Sequence, residues 1–257
     1  MNQDLGDPQT HAAPGAPPPW GLLGTIAWGA LGVFAWFAVQ FAVVIVFIAW
    51  RDTVAPGSVN TAQLAHDGFL LAFVTVVAGP AWIAVAALAA RWRGWRVRDY
   101  LALVPPRRGE ILFGIACLAA LLITFDLLTL AFGREVVPRF MREAYISARG
   151  SNSLVLFFIA VAVVAPITEE IAFRGFLFRG LSASFLGVGG TLIATSAAWA
   201  AMHVQYDWVT LGQIFLIGLL LGWLRWASGS TLLTILLHML ANLAACIQAA
   251  IKVEWLS

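Results

Sequence analysis

The chain alternates long apolar runs with short polar connections. An α-helix needs about 20 predominantly apolar residues to cross the hydrocarbon core of a bilayer. Seven runs approach or exceed this length, at residues 20–50, 68–90, 111–133, 153–185, 190–203, 208–226 and 231–251. The pattern therefore predicts an all-α fold, a polytopic transmembrane helix bundle of about seven (seven to eight) spans.

The same pattern divides the chain into three parts. Residues 1–19 are polar and proline-rich, and they lack the basic start, apolar core and cleavage site of a signal peptide. We expect them to form a disordered tail. Residues 20–152 hold three spans with their loops, and residues 153–251 hold four spans that carry the candidate chemistry.

Composition agrees with a membrane protein. Of 257 residues, 61% are hydrophobic and 11% are charged, whereas a soluble domain is about 45–50% apolar and about 25% charged. The net charge of +2 is too small to indicate a nucleic-acid partner, so the lipid bilayer is the expected partner. Lys252 is the only lysine, and this arginine-rich composition indicates a multi-pass protein of a bacterial plasma membrane.

Basic residues near the ends of spans predict the orientation. The loop between the second and third spans is the densest basic cluster, with Arg91, Arg93, Arg96, Arg98, Arg107 and Arg108. We therefore expect this loop in the cytoplasm. The loop from Arg134 to Arg149 also has four arginines, yet it would lie outside, which conflicts with the same rule.

Ionisable residues within the spans are the candidate functional residues, because charge at membrane depth is costly. They are Asp126, Glu169, Glu170, Arg174, His203 and His238. Glu170 and Arg174 are four residues apart on one helix face, and we expect an ion pair between them. Glu169 is rotated by about 100° and points elsewhere. For Asp126 we expect only a hydrogen bond to a neighbouring helix.

Two further pairs repeat the spacing of four residues. Trp199 and His203 share one face, and His238 and Asn242 share another. The rise per residue, counted from the turns, brings Glu169 and both histidines to a similar depth. We expect these side chains to converge with Asn242, although each could instead be an interhelical hydrogen-bond partner that only holds the helices together.

A carboxylate with two imidazoles supports two kinds of hydrolysis. In the first, Glu169 and a histidine activate water as a general base, and the other histidine and Asn242 stabilise an oxyanion. In the second, Glu169, His203 and His238 bind a metal such as zinc that carries the water. Both reactions cleave an acyl bond, and the residue types leave both open. The H-E-x-x-H and G-x-S-x-G motifs of other intramembrane proteases are absent from the sequence.

Three motifs together resemble those of a known family. "EEIAFR" at 169–174 matches E-E-x-x-x-R, and "HMLAN" at 238–242 matches H-x-x-x-N/D. "WAAMH" at 199–203 matches F-x-x-x-H, with Trp199 in place of the usual phenylalanine. The chain thus resembles the CAAX protease and bacteriocin-processing (CPBP, or Abi) family of intramembrane endopeptidases, which includes the Ras-converting CAAX endopeptidase.

The resemblance implies an enzyme, an intramembrane protease whose catalytic core is residues 153–251. It implies Glu169 as the base with His203 assisting, His238 and Asn242 as oxyanion donors, and Glu170, Arg174 and Trp199 as supporting residues. No cofactor is favoured, and zinc remains the alternative. The expected substrate is a membrane-associated peptide or protein, CAAX-like C-termini included, reached from the membrane or the cytoplasmic face.

A non-enzymatic immunity or transport protein is the remaining interpretation. A transporter predicts paired broken helices in two repeats, and the sequence has one Gly-Pro break, at 79–80, without a counterpart. A site that has lost its activity would be expected to lack Glu169 or a histidine, and both histidines and Glu169 are present.

Overall fold

The structure is a computed structural model that describes residues 17–57, 64 and 66–256, so the predicted tail lies almost entirely outside the described residues. The described chain forms helices and turns without a strand, which confirms the all-α prediction. The helices are α1 (Leu22–Val54), α2 (Gly68–Trp92), α3 (Val97–Tyr100), α4 (Arg108–Ala131), α5 (Arg139–Gly150), α6 (Leu154–Ser182), α7 (Gly187–Ala201), α8 (Trp208–Ser228) and α9 (Thr231–Trp255).

Among the described residues, six helices are long and apolar enough to cross a bilayer: α1, α2, α4, α6, α8 and α9. The protein is therefore a multi-pass membrane protein. The fifth predicted span is α7, but this helix has only 15 residues. At 1.5 Å per residue it is about 22 Å long, whereas the hydrocarbon core is about 30 Å thick. Helix α7 is thus too short to cross the hydrocarbon core, and residues 202–207 follow it without regular helix.

Helix α6 changes its hydrogen-bond register twice. A first π-helical segment covers Ala160–Val164 and a second covers Ile171–Leu177, with the α-helical turn that carries the glutamates between them. Pro166 lies at the start of the turn between the two segments, and proline removes a backbone donor from a helix. π-Helical segments occur mostly as single turns inside α-helices, frequently at functional sites.

The arginine-rich loop between α2 and α4 is tied to the ends of two spans. Arg179, near the end of α6, donates from Nε to the backbone oxygen of Tyr100 and from Nη2 to that of Asp99, at 2.5 and 2.8 Å. The hydroxyl of Thr231, at the start of α9, donates to the oxygen of Leu101 at 2.6 Å. Because its buried carbonyls are bonded in this way, the loop holds a fixed position against the bundle.

Helices α7 and α8 approach closely along a row of glycines. A Cβ atom at Gly218 would lie 2.9 Å from Cβ of Ser196, and one at Gly222 would lie 2.7 Å from Cδ2 of Leu192. Real Cβ atoms essentially never come this close to another heavy atom. The two glycines therefore set the distance between the two helices, and α7 carries Trp199, with His203 following two residues after its end.

We expect Gly218→Ala to destabilise the protein by about 1–3 kcal/mol, because overpacking a tight contact forces the helices apart. Thermal unfolding in detergent measures the change. The control is Gly212→Ala on the same helix, where a Cβ atom would meet nothing within 4 Å. The control is expected to leave stability unchanged or to raise it by up to about 1 kcal/mol through helix propensity. Equal unfolding temperatures for the two variants would contradict the prediction.

Candidate active site

Trp199 lies at the centre of the candidate site. Its indole Nε1 donates a hydrogen bond to Oε2 of Glu169. Its ring meets the ring of His203 edge-on, with centroids 5.3 Å apart, and that of His238 with centroids 5.1 Å apart. Cζ of Arg174 lies 4.7 Å from the centroid of the same indole. The structure therefore gathers one glutamate, both intramembrane histidines and the arginine around one buried side chain.

The predicted ion pair between Glu170 and Arg174 is confirmed. Both side chains are fully buried, and Oε1 of Glu170 lies 2.9 Å from Nη1 of Arg174. The same oxygen lies 3.0 Å from Nδ1 of His238, and Nη2 of Arg174 donates to the carbonyl of Gly218 at 3.1 Å. The carboxylate that contacts His238 is thus Glu170, whereas the sequence led us to expect Glu169. The face of α6 that carries the ion pair is the one packed against α9, and spacing along one helix does not reveal this.

Both histidines are oriented through Nδ1. Nδ1 of His203 lies 2.8 Å from the backbone oxygen of Trp199, and Nδ1 of His238 faces the carboxylate of Glu170. A carbonyl and a carboxylate only accept hydrogen bonds, so Nδ1 carries the proton in each ring. Nε2 of each ring then remains for water or substrate, as an acceptor when the ring is neutral and as a donor when it is charged.

Asn242 is bonded to the backbone of α6. Its Nδ2 donates to the carbonyl of Val161 at 2.8 Å. In the first π-helical segment the amide of Ala165 bonds five residues back, to Ala160. The next residue, Pro166, has no amide hydrogen, so the carbonyl of Val161 lacks the corresponding partner, and Asn242 takes that place. The amide of Asn242 keeps a second N–H and its oxygen for other contacts.

Asp126 is the remaining ionisable residue predicted within the spans. Asp126 accepts a hydrogen bond from Nε2 of Gln248 on α9 at 2.7 Å, so the expected bond to a neighbouring helix is confirmed.

The sequence did not point to Tyr206, whose ring stacks on that of His203 with centroids 6.3 Å apart. Its phenol also lies within range of the charge of Glu169. No helical spacing pointed to Tyr206, because residues 202–207 lie outside a helix.

The zinc alternative finds no support in the positions of the donor atoms. In the described part of the chain, no three His, Cys, Asp or Glu side chains come together as a group that could hold a metal ion. The proposed set of Glu169, His203 and His238 therefore does not fit a metal in this arrangement.

Comparison with known proteins finds a similarity within the second half of the chain. Residues 151–244 match the family model Type II CAAX prenyl endopeptidase Rce1-like. All three sequence motifs lie inside this stretch, so the resemblance inferred from them is confirmed. The region that forms the site is thus similar to the CAAX-type intramembrane endopeptidases.

A protein of Escherichia coli, described as an uncharacterized 24.3 kDa protein, is also similar to part of the chain. The two are 36% identical over 93 residues, which make up 35% of this chain and 42% of the relative. The similarity thus spans less than half of either protein. No solved structure matches the chain.

We expect Arg174→Met to destabilise the protein by about 3–5 kcal/mol, because it leaves the charge of Glu170 buried without its partner. The double variant Glu170→Met/Arg174→Met should recover most of this loss, since it leaves no buried charge. Thermal unfolding in detergent measures both. The control is Arg139→Met, which breaks the exposed pair with Glu143 at the same spacing and should cost less than about 1 kcal/mol. Equal losses in the single and double variants would show that the pair is not coupled.

Proposed function

We propose that the protein is an intramembrane endopeptidase that hydrolyses a peptide bond of a membrane-associated substrate. The observation that carries the proposal is the gathering of Glu169, His203 and His238 around Trp199, inside the stretch that is similar to Type II CAAX prenyl endopeptidases. A half-buried carboxylate beside two oriented imidazoles is a set of groups suited to activating water and to stabilising the charge that develops on a carbonyl.

In the proposed reaction Glu169 is the general base and His203 assists it. The N–H of Trp199 holds one carboxylate oxygen of Glu169, which leaves the other oxygen for a water molecule. Nε2 of His203 is the nitrogen that can take up or return the proton, because Nδ1 is bonded to the backbone. A general base of this kind contributes typically about 10²–10⁴-fold to the rate.

His238 and Asn242 are proposed to stabilise the oxyanion. The Glu170–Arg174 pair fixes His238 through Nδ1, so its Nε2 can donate a hydrogen bond when the ring is charged. Asn242 has one N–H left after its bond to Val161. A donor positioned at a developing oxyanion is typically worth about 10²–10³-fold in rate.

We propose that water reaches the site beside the end of the short helix α7. Because α7 is too short to cross the hydrocarbon core, we propose that residues 202–207, which include His203, lie outside any helix within the membrane thickness. Backbone without regular structure is tolerated at membrane depth where it is buried in protein or lines a water-filled cavity. Met202, Val204 and Trp208 are exposed around this segment, which supports an opening for water and substrate.

The proposed substrate is a membrane-associated peptide or protein, CAAX-like C-termini included. Two features support this choice: the site lies inside a bundle of membrane-spanning helices, and the matched family is one of CAAX prenyl endopeptidases. We propose that the substrate enters from the bilayer or from the cytoplasmic face, in a bacterial plasma membrane.

We expect Glu169→Gln and His238→Ala each to lower peptide cleavage by at least about 10²-fold, because each removes a group that acts on the reacting atoms. The assay uses the purified protein with membrane-associated fluorogenic peptides. The control is Glu135→Gln, an exposed carboxylate that pairs with Arg142 and should leave the rate unchanged. Cleavage that survives Glu169→Gln would sink the proposal. Loss of cleavage with a chelator, restored by zinc, would replace the glutamate mechanism by the metalloprotease alternative.

We expect Trp199→Phe to retain part of the activity, because the substitution keeps an aromatic ring beside both histidines but removes the N–H that holds Glu169. The loss should appear in kcat rather than in KM, since Trp199 positions the base and is not proposed to bind substrate. Steady-state kinetics with the same peptides measure this. A change confined to KM would assign Trp199 to substrate binding instead.

A further inference from the structure

The two ends of the bundle carry arginines with different partners. At the end where α5 lies, four arginines pair with carboxylates at 2.6–3.1 Å: Arg134 with Asp207, Arg139 with Glu143, Arg142 with Glu135 and Arg149 with Glu254. These pairs neutralise the positive charge of that end within the protein itself.

Among the described residues, the opposite end shows no such compensation. Residues 91–110 contain six arginines and two acidic residues, Asp99 and Glu110. Among the described residues none of these six arginines forms an ion pair. Oε2 of Glu110 accepts instead from the backbone amide of Arg107, at 2.7 Å. The exposed arginines of this end thus present an unneutralised positive surface at the ends of two membrane-spanning helices.

Beneath this surface lie buried donors that have no acceptor. Nε of Arg93 and Nε1 of Trp95 are both buried and make no hydrogen bond within the described structure. Trp95 is 6% exposed, and Cζ of Arg179 lies 5.0 Å from its ring centroid. Cζ of Arg93 lies 5.5 Å from the ring centroid of Trp20. A buried donor without a partner is destabilising, so an added acceptor would stabilise this cluster.

Tyr100 joins these groups and does not compensate their charge. Its ring lies 5.5 Å from that of Trp95, and its hydroxyl accepts from the amide of Trp20 at 3.4 Å. Burial raises the pKa of Tyr100 to about 12, although Arg179 and Arg93 act in the opposite direction. The phenol therefore stays neutral and does not offset the charge of Arg93 and Arg179.

We propose that this cluster, the Arg93 site, binds the phosphate of an anionic phospholipid headgroup. Half-buried Arg93 supplies a guanidinium, whose planar fork fits phosphate oxygens. Trp95 supplies an N–H donor, and the exposed residues Arg91 and Arg96 lie next to them along the chain. Clusters of four to eight basic residues beside a membrane-spanning helix are typical sites for anionic lipids. The loop is fixed to the ends of α6 and α9, so the arginines need little ordering on binding.

The position of the Arg93 site favours a lipid over a free phosphate. Arg93 caps the end of α2, and α4 begins at Arg108, so the loop lies where spanning helices leave the hydrocarbon core. Phospholipid headgroups occupy this level of a bilayer. The Arg93 site is separate from the candidate active site and does not rest on the proposed function.

Native mass spectrometry of the full chain in detergent, titrated with phosphatidylglycerol or phosphatidylcholine, tests the Arg93 site. The wild-type protein should bind phosphatidylglycerol more tightly. Arg93→Gln should weaken that binding roughly fivefold, which corresponds to about 1 kcal/mol for one arginine near an anionic surface. Trp95→Phe, which removes the indole donor and keeps an aromatic ring, should weaken it to a similar or smaller extent. Arg142→Gln, at the opposite end of the bundle, should leave it unchanged.

Competition with inorganic phosphate distinguishes a phospholipid headgroup from a free phosphate ion as the ligand of the Arg93 site. An excess of it should not displace phosphatidylglycerol, and displacement would assign the Arg93 site to a free phosphate and overturn the lipid assignment. Equal binding of the two lipids by the wild-type protein would also overturn it. So would an unchanged preference in a folded Arg93→Gln variant. If thermal unfolding shows that Arg93→Gln does not fold, Trp95→Phe takes its place as the test. Unchanged binding of phosphatidylglycerol by that variant would then overturn the proposal.

Discussion

The candidate site depends on the buried ion pair between Glu170 and Arg174. A single charge within a membrane-spanning helix is costly, and an opposite charge one turn away lowers that cost. Arg174 also bonds the carbonyl of Gly218 and lies over the ring of Trp199, while Glu170 holds His238. One pair on α6 therefore connects α7, α8 and α9 and sets the position of an imidazole. Removing either charge would disturb the fold and the site together.

The backbone of α6 is irregular on both sides of the turn that carries the glutamates, and side chains from neighbouring helices satisfy it. Asn242 on α9 bonds the carbonyl of Val161 in the first π-helical segment. Arg225 on α8 donates from Nε to the carbonyl of Arg174 in the second segment at 3.0 Å. A carbonyl left without a regular partner in a bilayer would cost several kcal/mol. The asparagine of the third motif thus supports the helix that carries the first motif, in addition to the role proposed for it in the reaction.

The arginines at the two ends of the bundle differ in their partners, and this difference bears on the conflict over orientation. Counting arginines left the loop from Arg134 to Arg149 on the outer face with four positive charges. Each of those arginines has a carboxylate partner in the structure, whereas the arginines between α2 and α4 have none among the described residues. The unneutralised charge is therefore at the end that was predicted to face the cytoplasm. Electrostatic attraction to anionic lipids would hold the bundle in that orientation.

The sequence by itself determined the properties that depend on neighbours along the chain. Hydropathy placed the spans within a few residues of their observed ends, and a spacing of four residues determined the Glu170–Arg174 pair. Contacts between helices were decided only by the tertiary structure, because they depend on the rotation of each helix against its neighbours. These contacts join His238 to Glu170, Trp199 to Glu169, Asn242 to Val161 and Tyr206 to His203. The π-helical segments change that rotation within α6, and no periodic pattern in the sequence records the change.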